Sequence, residues 1–124
     1  MMKMKNIIPT SVLPVATVTA GANGAQIDVR EYIGDIKITL DSSAGAGADN
    51  TMDVKLQESD DGATWTDVTG GVFTQVTNAG PSFETLMLSV DGFKRYIRGV
   101  DAIAGTGPEF SRSLSFVGQK QYSA

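Results

Sequence analysis

The sequence predicts an all-β protein that folds as a single-domain antiparallel β-sandwich. Apolar and polar residues alternate with a period of two in most segments, as in strands with one buried face. No segment of ten residues has the period of an amphipathic helix. The 14 glycines of the 124-residue chain fall in short clusters between the apolar runs, where they mark turns. These observations favour many short strands joined by turns.

Residues 1–14 are predicted to form an extended N-terminal arm. Pro9 and Pro14 interrupt this segment, and proline lacks an N–H donor and biases the preceding residue toward extended geometry. Residues 15–20 alternate weakly and are predicted to be a strand that ends at an Asn-Gly turn. We therefore place the β-sandwich domain at residues 15–124.

Two further strands and a loop follow the turn. Residues 25–30 and 36–41 alternate apolar and polar side chains, which is typical of strands with one buried face. Residues 42–50, with the sequence SSAGAGADN, carry only small side chains and glycines that raise the entropic cost of ordering. We expect this segment to be the most mobile internal loop.

A β-hairpin over residues 52–68 is the central element of the predicted sandwich. Met52, Val54 and Leu56 point to one side of the first strand, and an Asp-Asp-Gly turn reverses the chain. Trp65, the only tryptophan, follows the turn. We predict that Trp65 is buried against the face formed by the three apolar residues.

Four strands complete the predicted domain. They are a short strand near residues 72–76, then residues 83–90, 94–101 and 111–118, separated by turns rich in Gly, Pro, Asn and Asp. The total is about eight strands at the spacing of a sandwich or barrel. The expected architecture is immunoglobulin-like or jelly-roll-like.

Composition argues against several classes of function. A formal net charge of −4 without a basic block disfavours binding to nucleic acid. The sequence contains no His and no Cys, which removes the usual general base, thiolate nucleophiles and zinc–sulfur sites. Prolines break the apolar N-terminal stretch that a signal peptide requires, and no run is long enough to span a membrane. We expect no enzyme activity, no cofactor, no metal and no membrane association.

Charged side chains leave weaker alternatives open. The carboxylates considered for two-carboxylate hydrolysis or for calcium are Asp49, Asp53, Glu58, Asp60, Asp61, Asp67 and Glu84. Turn capping accounts for the Asp pair at the hairpin tip without any reaction, and the spacing differs from that of a calcium loop. Lys94, Arg95 and Arg98 form a basic concentration, which fits a solvated strand or a surface for an acidic partner.

Three segments resemble the small structural proteins of tailed-bacteriophage heads. They are the Pro-containing arm, VKLQESDDGATWTDV and FKRYIRGVDAIAGTGPEFSRSLSFVGQK, and the resemblance covers about residues 34–120. It implies a non-enzymatic β-sandwich protein of the virion, of the decoration or cement type. Such a protein is made in the host cytoplasm, binds the outside of the capsid and stabilises it by bridging subunits. The implied partners are the major capsid protein and the chain itself, with a homotrimer as the preferred oligomer.

Two other functions are compatible with the sequence. The SDDG…W hairpin is also similar to a segment of discoidin-like carbohydrate-binding modules, and a phage tail structural component is a further alternative. A sugar platform requires exposed aromatic rings, whereas a sandwich of this size needs most of its nine aromatic residues in the core.

The N-terminal arm is the predicted contact with a partner subunit. Its aliphatic side chains lie among prolines, so the arm cannot form a helix and carries too little apolar surface to fold alone. The predicted interface residues are Ile7, Ile8, Pro9, Val12, Leu13 and Pro14.

Overall fold

A computed structural model describes residues 7–120, and strands account for most of this range. The strands are β1 (Ile7–Val18), β2 (Ala22–Asn23), β3 (Ile27–Asp28), β4 (Tyr32–Ser42), β5 (Thr51–Ser59), β6 (Thr66–Val72), β7 (Val76–Thr77), β8 (Ser82–Ser89), β9 (Tyr96–Ala104) and β10 (Phe110–Lys120). Two single-turn 3-10 helices, Val29–Glu31 and Val90–Gly92, lead into β4 and toward β9.

The strands form two antiparallel sheets that pack face to face. Sheet 1 has the order β1-β10-β4-β8. Sheet 2 has the order β2-β9-β5-β6, with β3 also paired to β9 and β7 to β5. The strand pairs in the described residues are antiparallel, and the chain passes repeatedly between the sheets. The prediction of an all-β antiparallel sandwich is confirmed.

The core lies between the inward faces of the two sheets. In sheet 1, alternate residues of β4 and β10 are buried, and in sheet 2 alternate residues of β5 are buried, as the period of two predicts. The largest fully buried apolar side chains are Leu13, Ile36, Ile38, Leu40, Met52, Leu56, Ile97, Phe110, Leu114 and Phe116. One aromatic pair, Tyr32 and Phe116, meets edge to face with ring centroids 5.0 Å apart.

The predicted hairpin is present, but the prediction that Trp65 is buried within it is wrong. β5 pairs with β6, and Met52, Val54 and Leu56 are buried as expected. Trp65 lies just before β6 and is only half-buried, because the inward position of the return strand is taken by Val68. The ring instead lies under a guanidinium group on the outer side of sheet 2.

The N-terminal segment differs from the predicted extended arm outside the sandwich domain. Residues 7–18 form one strand, β1, which pairs with β10 from Ile7↔Gln119 to Val18↔Phe110. The boundary predicted between residues 14 and 15 therefore falls inside a strand. The arm is extended, as its prolines suggest. Its backbone from residue 7 is nevertheless part of sheet 1, because it pairs with the edge of β10 that β4 does not occupy.

Residues 25–30 and 42–50 also differ from the expectation. The predicted strand at 25–30 is reduced to the two residues of β3, because the chain turns there into the first 3-10 helix. The loop at 42–50 is tied to the domain by Asn50, which is fully buried. The Asn50 Oδ1 atom accepts hydrogen bonds from the backbone N–H groups of Gly47, at 2.7 Å, and Glu109, at 3.3 Å.

Candidate partner-binding surfaces

The predicted interface residues separate into two groups in the structure. Val12 and Leu13 are 2% and 1% exposed and belong to the core of their own domain, so their side chains have little free surface for a partner. Pro9 and Pro14 are exposed on β1. Ile7 and Ile8 pair with β10 through the backbone, and their side chains lie outside the described part of the structure.

A bulge in β1 explains why two consecutive residues face the core. The register with β10 shifts between Ser11 and Leu13 and again between Leu13 and Ala16, so the normal alternation of sides is broken there. Gly99 on β9 makes room for this bulge. A Cβ atom at Gly99 would lie 2.7 Å from Val12 Cγ1, a distance that real side chains do not adopt.

A buried ion pair holds the same region together. Arg112 of β10 and Asp101 of β9 have side chains that are 4% and 0% exposed, and Arg112 Nε donates to Asp101 Oδ2 at 2.6 Å. Arg112 Nη1 donates to the Pro14 carbonyl at 2.6 Å, and the Ala22 N–H donates to Asp101 Oδ1 at 2.6 Å. The pair therefore links the two sheets with the bulged part of β1 and with β2.

A cleft of about 600 Å³ opens between β1 and β2 above this ion pair. Its lining consists of small or apolar residues around the Arg112 side chain, namely Ser11, Val12, Leu13, Pro14, Ala16, Ala22, Asn23, Gly24 and Ala25. The guanidinium is already engaged by a carboxylate and a carbonyl, so its charge is compensated inside the domain. We assign the Arg112–Asp101 pair a structural role.

β1 also carries exposed apolar residues, of which Pro14 lines this cleft. Val15 is 81% exposed, next to the exposed Pro14, and Pro9 is exposed farther along the strand. We call Pro9, Pro14 and Val15 the β1 rim. It is the part of the predicted interface that remains accessible after the domain has folded.

The opposite edge of sheet 1 carries a second apolar surface. Phe83 and Met87 of β8 are 74% and 60% exposed and lie on the outer face, four residues apart. Their cross-strand neighbours on β4 are Asp41 for Phe83 and Lys37 for Met87. We call Phe83 and Met87 the β8 patch. The alternation predicted this strand but not its exposed apolar pair, although both residues are out of phase with Leu86 and Leu88, which pack against the core.

Hydroxyl groups cover much of the outer face between these two edges. The outward residues of the central part of sheet 1 include Ser11, Ser115, Thr39 and Thr85, which follow one another across four strands. The Oγ1 atoms of Thr39 and Thr85 lie 3.2 Å apart. The face is therefore polar and uncharged along that row.

Two of the carboxylates considered in the sequence, Asp61 and Asp67, serve local structure. Asp61 Oδ1 accepts from the backbone N–H groups of Ala63 and Thr64 and from the Ser59 hydroxyl. These hydrogen bonds lower the pKa of Asp61 to about 2. The Lys55 ammonium and the Gln57 amide lower the pKa of Asp67. Within residues 7–120 no group of three or more acidic side chains is placed to hold a metal ion.

Two residues of the basic concentration, Arg95 and Arg98, are likewise engaged with neighbours. The Arg98 guanidinium lies 4.4 Å from the Trp65 ring centroid and donates to Gln57 Oε1 at 2.8 Å and 3.0 Å. Arg95 pairs with Asp28 at 3.2 Å. Because Arg98 covers one face of the indole, that face is not free to stack on a sugar ring.

Two residues of the site region went unrecognised in the sequence. Arg112 lies in phase with Leu114 and Phe116, a pattern that places a charge on the inward face of a strand. A charge at such a position requires a buried partner, and Asp101 is in turn in phase with the buried Ile97. The inward positions of Arg112 and Asp101 could be recognised from the alternation in the sequence, whereas the pairing of the two residues depends on the sheet topology.

Comparisons with known proteins identify the fold and no family. No family model and no curated protein matches the chain. In the described range no helix is long and apolar enough to cross a membrane.

Several solved structures share the fold. A chain of infectious bursal disease virus, Gx strain, has a TM-score of 0.58 and 8% identity, over 97% of this chain and 34% of that chain. A chain of the T13 IBDV viral particle has a TM-score of 0.57 and 11% identity, over 91% of this chain and 31% of that one. The SPBc2 prophage-derived protein YomS has a TM-score of 0.50 and 12% identity, over 95% of this chain and 98% of that one.

The extent of these matches differs. The chain spans about one third of the length of the infectious bursal disease virus chains and nearly the whole length of YomS. At these identities the likeness establishes a shared all-β sandwich fold.

Proposed function

We propose that the chain is a non-enzymatic structural protein of a bacteriophage virion that binds the outside of the capsid and stabilises it by bridging subunits. The observation that carries the proposal is the fold likeness over more than nine-tenths of the chain to a chain of a viral particle and to a prophage-derived protein of similar length. The resemblance of the sequence to phage head proteins adds the tailed-phage and decoration parts of the proposal.

The arrangement of surfaces supports a bridging role. The β1 rim and the β8 patch lie on the two opposite edges of sheet 1, separated by β10 and β4. A protein with exposed apolar residues at both edges can contact two neighbours at once. Under this proposal the major capsid protein contacts the β1 side, through Pro9, Pro14 and Val15 together with Ile7 and Ile8.

Localisation on purified particles tests the proposal. Particles are prepared from cells that carry the gene and from cells in which it is deleted, and intact particles are labelled with a gold-conjugated antibody against the chain. We expect gold on the heads of gene-positive particles and none on the deletion particles. Labelling confined to tails would favour the tail-component alternative, and particles without the chain would contradict a virion role.

Variants of the β1 rim test the capsid contact. Val15→Glu places a charge at the centre of the rim, and we expect it to weaken binding of the purified protein to deletion particles at least tenfold. Val72→Glu is the matched control, because Val72 is 61% exposed on β6 in the other sheet. Equal binding of both variants and the wild type would contradict the assignment of the rim.

The oligomeric state is a separate part of the proposal. The homotrimer preferred from the sequence stays a prediction. Sedimentation equilibrium of the purified chain distinguishes a trimer from a monomer and from a two-fold dimer.

A further inference from the structure

We propose that the open edge of β8 pairs with β8 of a second copy of this chain, antiparallel and around a two-fold axis at Thr85. The contact would join two sheets 1 into one continuous eight-stranded sheet. It is an inference about the free protein and does not depend on the proposed capsid function.

The first support is the contrast between the two edges of sheet 1. β1 is blunted by Pro9 and Pro14 and by two shifts of register, which are devices that prevent edge pairing. β8 has the sequence SFETLMLS, without proline or lysine, and it pairs with β4 over eight residues without a shift. It is the terminal strand of its sheet in the described chain. The unpaired N–H and C=O groups of such a strand template another strand.

The second support is the spacing of the exposed apolar residues. In an antiparallel pair centred on Thr85, each Phe83 lies opposite the partner's Met87, and each Met87 lies opposite the partner's Phe83. Both residues point to the outer face in each copy, because a two-fold axis normal to the sheet keeps that face on one side. The β8 patch is thus complementary to itself, as an isologous contact requires.

The third support is the charge pattern on the neighbouring strand. Asp41 lies beside Phe83 and Lys37 lies beside Met87. In the proposed register each outer row reads Asp41, Phe83, the partner's Met87 and the partner's Lys37. Each row therefore carries one acidic and one basic residue, so this register brings no like charges into the same row.

The row at the axis is compatible with the same register. Thr85 would face the partner's Thr85, flanked on each side by Thr39. On the inner side, Glu84 already accepts a hydrogen bond from the Thr74 N–H at 2.8 Å, so its carboxylate has a partner within its own subunit. The Glu84 carboxylate therefore does not need a hydrogen-bond donor from the second copy.

Sedimentation equilibrium of the purified full chain tests the pairing, with variants that are specific to the register. We expect twice the 13.0 kDa chain mass for the wild type. The variant Phe83→Glu with Met87→Glu places like charges opposite each other and should weaken dimerisation at least tenfold. The variant Phe83→Lys with Met87→Glu places opposite charges across the axis and should restore the dimer.

Controls and contrary outcomes are defined by the same geometry. Val15→Glu changes the other edge of the sheet and should leave the dimer intact, and circular dichroism checks that each variant is folded. Because the chain has no cysteine, Thr85→Cys should also form a disulfide-linked dimer on oxidation, whereas Ser89→Cys should not. A wild-type monomer or trimer, or a dimer that survives the double glutamate change, would overturn the proposal. Failure of the Lys/Glu variant to dimerise would overturn the register.

Discussion

Individual polar residues hold the connections of this sandwich in place. Arg112 and Asp101 join the two sheets, and Arg112 also donates a hydrogen bond to the Pro14 carbonyl. Asn50 and Asp61 each accept backbone hydrogen bonds that fix a loop. The sequence identified Asp61 correctly as a turn residue, because Asp followed by Gly is a local signal. It did not identify Asp101 and Arg112 as partners, because their contact depends on which strands become neighbours.

Removal of the Asp101 carboxylate should be strongly destabilising. Asp101→Ala leaves the buried Arg112 charge without its partner, and we expect a loss of about 3–5 kcal/mol in the free energy of unfolding, measured by urea denaturation. The paired replacement Asp101→Leu with Arg112→Met removes both charges and should recover most of that loss. Equal stability of the single variant and the wild type would contradict the structural role of the ion pair.

Asp61 should make the stability of the hairpin turn depend on pH. Its pKa is lowered to about 2 in the folded chain, against about 3.9 in an unfolded one. The stabilisation by the ionised group is therefore complete above about pH 5 and is lost as the pH falls toward 2. We expect the difference in melting temperature between the wild type and Asp61→Asn to shrink over this range. A difference that stays constant would show that ionisation of Asp61 does not matter.

Most of the long strands lie where the alternation of the sequence predicts them, but the sequence does not predict their exact ends or the strands with which they pair. β4, β5, β8 and β10 lie where the period of two placed strands, because that pattern is a local property of the chain. The prediction divided β1 between an arm and a strand, because prolines suppress the strand signal. An edge strand nevertheless tolerates prolines. Its bulge, which turns Val12 and Leu13 inward together, is set by contact with Gly99 and carries no local signature.

Trp65 contributes less to stability than a core aromatic residue. Its ring is half-buried on the outer side of sheet 2, whereas Phe116 is fully buried. We expect Trp65→Ala to cost about 1 kcal/mol, against about 3–5 kcal/mol for Phe116→Ala. Chemical denaturation of both variants measures the two values. A loss at Trp65 equal to that at Phe116 would place the indole in the core.

The two sides of β1 should respond differently to truncation of their side chains. Leu13→Ala removes a fully buried side chain, and we expect a loss of about 2–5 kcal/mol in the free energy of unfolding. Val15→Ala, two residues away, changes an exposed side chain and should alter stability by less than about 0.5 kcal/mol. Similar losses at both positions, measured by urea denaturation, would contradict the described bulge.

The whole molecule is a sandwich with an exposed apolar surface at each edge of sheet 1. We propose that these two surfaces contact different neighbours, the β1 rim a capsid subunit and the β8 patch a second copy of the chain. The sequence predicted the fold class, and its assignment of Pro9 and Pro14 to a partner interface stays a prediction. It did not predict the position of the two surfaces at opposite edges, since strand order is decided by long-range pairing.

Heat-induced release of nucleic acid from purified particles tests the central claim, that the chain stabilises a capsid from outside. Particles from a gene-deletion strain are heated with a dye that fluoresces on released nucleic acid, alone, with the purified chain, and with the Val15→Glu variant. The account predicts a higher release temperature after addition of the wild-type chain and little change with the variant. The same release temperature for particles with and without bound chain would contradict it.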